Sequence, residues 1–185
     1  MKKWKWLLLS GLGVLLVAAL ALPADAAGHK YVGAVKCKMC HNSQAKGAQF
    51  TKWSESKHAT AFASLASEES KKVAQAKGIA DPQKAAECLK CHVTGHGSPA
   101  EMLGEKYKAD EGVTCEVCHG AGGDYANMAI MKDKAKAVET GLVTPTEALC
   151  KTCHNSESPT FKELFDFAKA TAATAHPNPQ KAAGK

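Results

Sequence analysis

The chain has 185 residues, with 24 lysines and no arginine against 18 acidic residues, for a formal net charge of +6. Large aromatic side chains are scarce, with five phenylalanines, three tryptophans and three tyrosines in a chain rich in alanine, lysine and glycine. A domain of this composition cannot easily offset its ordering entropy by side-chain burial alone; this excludes a conventional apolar core and calls for internal staples.

The first 26 residues carry Lys2, Lys3 and Lys5, then an apolar run from Leu7 to Leu22, then Ala24-x-Ala26. That is the layout of a secretory signal peptide cut after Ala26. The apolar run is 16 residues long, short of the roughly 20 that a spanning helix requires. Cleavage leaves a single domain, 27–185, exported to the periplasm with no stable membrane anchor; an extracellular position is the alternative.

The first element of the exported chain is "CKMCH", Cys37 to His41. It is followed at 48–66 by "AQFTKWSESKHATAFASLA", whose composition favours helix. At 100° per residue, Phe50, Ala61, Phe62 and Leu65 flank His58 on one face, with Trp53 at its edge. "CLKCH" spans Cys88 to His92, and the Gly-flanked loop after it carries His96. "CEVCH" spans Cys115 to His119. Next, "GGDYANMAIMKDKAKAVETG" at 122–141 reads as one helix capped by Asp124 and closed by Gly141, with Met128 and Met131 sharing a face with Ala135 and Val138. "CKTCH" spans Cys150 to His154. The last predicted element is a helix capped by Ser158, with Pro159 first, halted by Pro177, and with Phe165, Ala172 and His176 on one side.

The four Cys-x-x-Cys-His strings use all eight cysteines and four of the eight histidines. A disulfide framework, natural for an exported chain with an even cysteine count, has no use for a histidine after every second cysteine. Zinc knuckles use CxxC pairs with histidines, but four identical strings match the attachment signature of c-type haem. Two thiols add to the two vinyl groups of one porphyrin, and the adjacent histidine reaches its iron. Cys37, Cys40, Cys88, Cys91, Cys115, Cys118, Cys150 and Cys153 are the candidate anchors. His41, His92, His119 and His154 are the candidate proximal ligands. Four haems c then supply most of the core that the side chains lack. The expected fold is mainly α with extensive loops and few or no strands, organised around the haems.

The second axial position decides between electron transfer and ligand chemistry. Four histidines remain. His58 and His176 stand on apolar helix faces that must meet a large apolar object, and are read as distal ligands. His96 is read as a solvated loop residue or a pocket residue beside the second haem, and His29 as part of a mobile N-terminus. Methionines on a helix are usually core filler, but thioethers also ligate haem iron, so Met131, with Met128 behind it, is a further candidate.

With these residues in place, the chain resembles the tetrahaem cytochrome c-554 family of electron carriers. The resemblance runs through "CKMCH", "QFTKWSESKHATA", "CLKCHVTGHG", "GVTCEVCHGAGGDY", "CKTCHNSESPTFKELFDF" and the terminal "AHP". It implies that His58 is the distal ligand of the third haem and His176 of the fourth, that the second haem has no strong distal ligand, and that haem pairs lie in stacked and near-perpendicular contact. The sequence departs from the family in two places. Where a relative has a histidine after the third motif that ligates the first haem, this chain has none between His119 and His154, and Met131 is the substitute. His96 stands where an aromatic residue can occur.

Without residues 1–26 the chain has 21 lysines against 17 acids, but eight propionates contribute about −8 and four ferric porphyrin cores about +4, so the oxidised protein sits near neutrality. Nucleic-acid binding is excluded on that ground and by export. The expected function is electron carriage between other redox proteins, such as cytochromes and quinol- or substrate-oxidising enzymes. No acid, base or nucleophile constellation points to an enzyme. The alternatives are a reductase of a small molecule such as nitric oxide at an open second haem, and a subunit of an extracellular cytochrome filament.

Overall fold

The computed structural model describes residues 28–159, 161 and 165–179, so the predicted signal peptide lies outside the described residues. Among them the chain forms α1 (Ala34–His41), α2 (Gln49–Ser54), α3 (Ala61–Ser64), α4 (Glu68–Ala76) and α5 (Ala86–His92), then α6 (Cys115–His119), α7 (Met128–Met131), α8 (Lys134–Glu139), α9 (Glu147–Lys151) and α10 (Phe167–Thr174). Short 3₁₀ turns and long loops connect them. No strand occurs among the described residues, only one isolated parallel bridge between Tyr31 and Leu103. The mainly α, loop-rich architecture is as the sequence leads one to expect.

Most of these helices are a few turns at most, and side-chain oxygens start them. Ser67, Thr114, Asn127, Asp133, Thr146 and Asp166 each accept a backbone N–H at the N-terminus of α4, α6, α7, α8, α9 and α10. These caps correct three sequence expectations. The helix expected over 122–141 is two, restarted by Asn127 and again by Asp133; Asp124 is not a cap but binds His29. Gly141, at φ +106°, does follow the end of the second. The helix expected from Ser158 begins at Phe167 under the Asp166 cap, and His176 lies just beyond its end.

The stretch 48–66 is likewise split, into α2 and α3, and His58 sits in the turn between them. Contacts with residues distant in sequence outweigh local helix propensity here. The Trp53 indole N–H donates to the Val113 carbonyl at 2.8 Å, and the Val113 N–H donates to the His58 carbonyl at 2.9 Å. Gly112 crosses so closely that a Cβ there, at φ +75°, would stand 2.7 Å from the His58 oxygen. Only glycine fits that crossing.

A second clamp joins the end of the second motif to the start of the third. The buried Thr94 hydroxyl donates to the Gly112 carbonyl at 2.9 Å and accepts the Thr114 N–H at 2.7 Å. The Tyr107 hydroxyl donates to the Thr94 carbonyl at 2.6 Å. Thr114 in turn caps α6, so the placing of His92 and that of Cys115 depend on one buried polar knot.

The side-chain core is as thin as composition suggests. The buried apolar residues among those described are Ala34, Ala48, Ala74 and Ala137 with Leu65, Val93 and Tyr125. Three side chains larger than alanine cannot close a domain of this length.

Candidate haem-attachment sites

Each CxxCH string lies on a helix or at its end: the first on α1, the second on α5, the third on α6, and the fourth running from the end of α9 into the following turn. In a helix, residues three and four apart share a face. The two thiols and the histidine of each string therefore point the same way, which is what attachment to one porphyrin edge and ligation of its iron demand. All eight cysteines are free. Among the described residues, no three His, Cys, Asp or Glu side chains gather into a metal cage. The disulfide and zinc-knuckle readings thus find no geometry to support them.

The histidine rings are set for metal binding through Nε2. The Nδ1 atoms of His92, His119 and His176 face the carbonyl oxygens of Ala61, Val143 and Thr174 at 2.6, 3.3 and 2.7 Å. A carbonyl only accepts, so Nδ1 carries the proton in each case and Nε2 is left as the donor atom. Burial, reinforced by the nearby His154, holds His58 below the usual histidine range. Burial also lowers His119, against a smaller opposing effect of the Val143 carbonyl, with His176 and His41 adding to the decrease. Neutral imidazole is the form that binds iron.

Two histidine pairs lie edge to face. His58 and His154 have ring centroids 6.0 Å apart at an interplanar angle of 73°. His119 and His176 are also 6.0 Å apart, at 83°. Two metal–nitrogen bonds of about 2 Å each, together with the depth of two imidazole rings, account for such a separation. These residues fit an iron between each pair. The Phe165 ring stacks on His154 at 5.2 Å and Phe161 approaches its edge at 5.9 Å, so one side of that site is aromatic.

The ring geometry differs from the pairing that the resemblance implies: instead of His58 at the third motif and His176 at the fourth, His58 lies beside His154 of the fourth motif and His176 beside His119 of the third. Gly47, at φ +102°, lies in such close contact with the Pro177 carbonyl that a Cβ there has no room, which docks the His176 segment against the loop after the first motif.

The anchors adjoin in an order that differs from the sequence. Cys37 and Cys115 are within hydrogen-bonding reach, and this contact, ahead of burial, pushes the Cys37 thiol up. Cys91 is pushed up to about 11, first by burial and then by Cys153. Cys118 is raised by burial and then by Cys150. The cysteines of the first motif therefore adjoin those of the third, those of the third adjoin the fourth, and those of the fourth adjoin the second. An ion pair between Lys90 and Glu157 ties the last two together at the surface.

The remaining candidates are placed as follows. His96 is exposed and lines a cavity of about 320 Å³ with Tyr31, Ser98 and Val143. The Nδ1 of His29 lies 2.5 Å from the Asp124 carboxylate and its ring lies against Gly141, a contact the sequence does not signal because Asp124 is far away in it. Met131 is half-buried at the end of α7, and Met128 at its start is exposed, which favours Met131 of the two. Sequence reasoning overlooked Glu116, Glu111 and Thr94, whose partners are backbone groups that no motif marks.

Comparison with known proteins bears on the same residues. The family model described as "Cytochrome c554 and c-prime" matches residues 36–120. Cytochrome c-554 of Nitrosomonas europaea is 34% identical over 152 residues, covering 74% of this chain and 56% of that one. The chain belongs to the cytochrome c-554 family. It spans a little over half the length of that relative. The solved structure of the reduced state of cytochrome c554 from the same organism shares the fold, with a TM-score of 0.52 and 24% identity over 80% of this chain and 79% of that one. As a member of this family, the protein carries four covalently attached c-type haems, and its eight cysteines fit the four CxxCH strings.

Proposed function

We propose that this chain is an exported, periplasmic electron carrier that passes single electrons between redox proteins of a respiratory chain. The haems supply the one-electron chemistry; the chain fixes their ligands and surroundings. His41, His92, His119 and His154 are the proximal ligands, His58 completes the site of His154, His176 that of His119, and Met131 that of His41. The observation that carries this reading is the pair of imidazole couples at 6.0 Å. A site with two protein ligands on opposite faces leaves no position for substrate, which favours electron transfer. Among the described residues, no helix is long and apolar enough to cross a membrane.

A redox titration of the purified holoprotein followed by visible spectroscopy tests the reading. Reversible one-electron reduction of four haems, with at least two of them low-spin and inert to carbon monoxide, is the expected result. A protein that cannot be reduced and reoxidised reversibly, or in which all four haems bind the gas, is not this carrier.

A second reading has one observation in its favour. Among the described residues, no imidazole faces His92 as His58 faces His154, and the exposed His96 lies near that motif. A small-molecule reductase at the second haem would use this opening.

A further inference from the structure

The third motif, "CEVCH", has a carboxylate as its first inner residue, and that side chain is 2% exposed. Glu116 is one of the two largest side chains buried this completely among the described residues. Charged residues are almost never buried in this way without a partner. No ion pair among the described residues involves it. Its partners are backbone groups: Oε1 accepts the N–H of Val32 at 2.8 Å and of Gly122 at 2.7 Å, and Oε2 accepts the N–H of Gly33 at 2.9 Å. Three donors and no acceptor are the surroundings of a carboxylate rather than of a carboxylic acid.

These donors belong to both neighbouring elements. Gly33 is the N-cap of α1 and has no side-chain cap of its own; Gly122 follows the third motif. Beside them Glu111 accepts the Ala34 N–H at 3.0 Å. The N-terminus of the first haem helix is therefore capped in trans by two carboxylates, one of them from within the third haem helix, and its dipole favours both.

We propose that Glu116 is a positioning residue that locks the first and third motifs into one unit through three backbone N–H groups, and that its buried negative charge lowers the reduction potential of the haem attached at Cys115 and Cys118. A ferric porphyrin core carries one positive charge more than a ferrous one, so a fixed negative charge stabilises the oxidised form. Burial keeps solvent from damping this attraction. The inference rests on the four-haem electron-carrier reading.

The test is a spectroelectrochemical titration of the holoprotein with Glu116→Gln, after mass spectrometry has confirmed four haems. Glutamine can keep the two bonds at Oε1 and removes the charge. One midpoint potential is expected to rise, so that at a fixed applied potential the reduced-to-oxidised ratio of that haem grows about tenfold, or about 59 mV for a one-electron couple. The shift is expected to persist in high salt. Glu111→Gln, at the half-buried second cap, is expected to shift it less. A four-haem Glu116→Gln protein with unchanged or lowered potentials overturns the proposal. Should that variant fail to take up four haems, Glu116→Asp decides: wild-type potentials with the charge kept support the proposal, whereas a rise, or haem loss here too, overturns the electrostatic role. A wild-type protein that shows no reversible redox step defeats the carrier reading instead.

Discussion

His58 and His154 come from opposite ends of the described chain, yet their rings stand edge to face with centroids 6.0 Å apart. The separation fits an iron held between the two rings. In the reduced holoprotein, where a six-coordinate low-spin ferrous haem is diamagnetic, we expect nuclear Overhauser contacts from the His58 ring to the porphyrin whose thioethers are those of Cys150 and Cys153. Contacts to the porphyrin of Cys115 and Cys118 would restore the pairing that the family resemblance implied.

Replacing His58 by alanine should leave the fold and haem count unchanged and convert one haem from low-spin to high-spin. His176→Ala should do the same to a different haem, so the double variant should show two more high-spin centres than the wild type. Electron-spin resonance counts them directly. A gain of only one high-spin centre in the double variant would mean that the two histidines serve one site.

The attachment sites should also bear on folding. With three buried apolar side chains larger than alanine among the described residues, the haems must supply the rest of the core. Replacing both Cys115 and Cys118 by alanine is expected to yield a chain that is largely unfolded or degraded, read by circular dichroism and yield. A well-folded three-haem protein of wild-type stability would show that the side-chain core suffices.

The Thr94 knot gives a stability prediction independent of the haems. Thr94→Val keeps the shape but removes the hydroxyl that accepts the Thr114 N–H and donates to Gly112. Leaving a buried N–H without a partner costs about 1–3 kcal/mol. Denaturant unfolding of the holoprotein should show a loss in that range with an unchanged slope. A loss near zero would mean that water enters the knot.

Sequence and structure agree where the chemistry is local. The four CxxCH strings were legible because one helical turn is enough to set two thiols and a histidine on one face. Helix boundaries were less so. His58 lies in a turn because Trp53 and Val113, distant in sequence, bond across it, and such contacts override propensity. Glu116 was hidden because its partners are main-chain N–H groups, which carry no sequence signature.

The last prediction concerns the haem held by His41. The chain has no histidine between His119 and His154, and the rings of His58 and His176 lie beside His154 and His119. The candidates are then Met131 on α7, with Met128 as second choice, and His29. The His29 ring is held by Asp124 through Nδ1 and lies against Gly141, whereas Met131 is half-buried with no bond to break. Methionine opposite histidine raises a haem's potential relative to two histidines, so the first haem is expected to be the highest-potential centre. Met131→Leu conserves volume and removes the sulfur; it should turn one haem high-spin or lower the highest midpoint potential while leaving the unfolding free energy within about 1.5 kcal/mol of wild type. Should the spectrum and all four potentials stay unchanged in both the Met131 and Met128 variants, the ligand is not a methionine. In that case His29→Ala should produce the high-spin signal, with Asp124→Asn weakening the same site by loosening the ring.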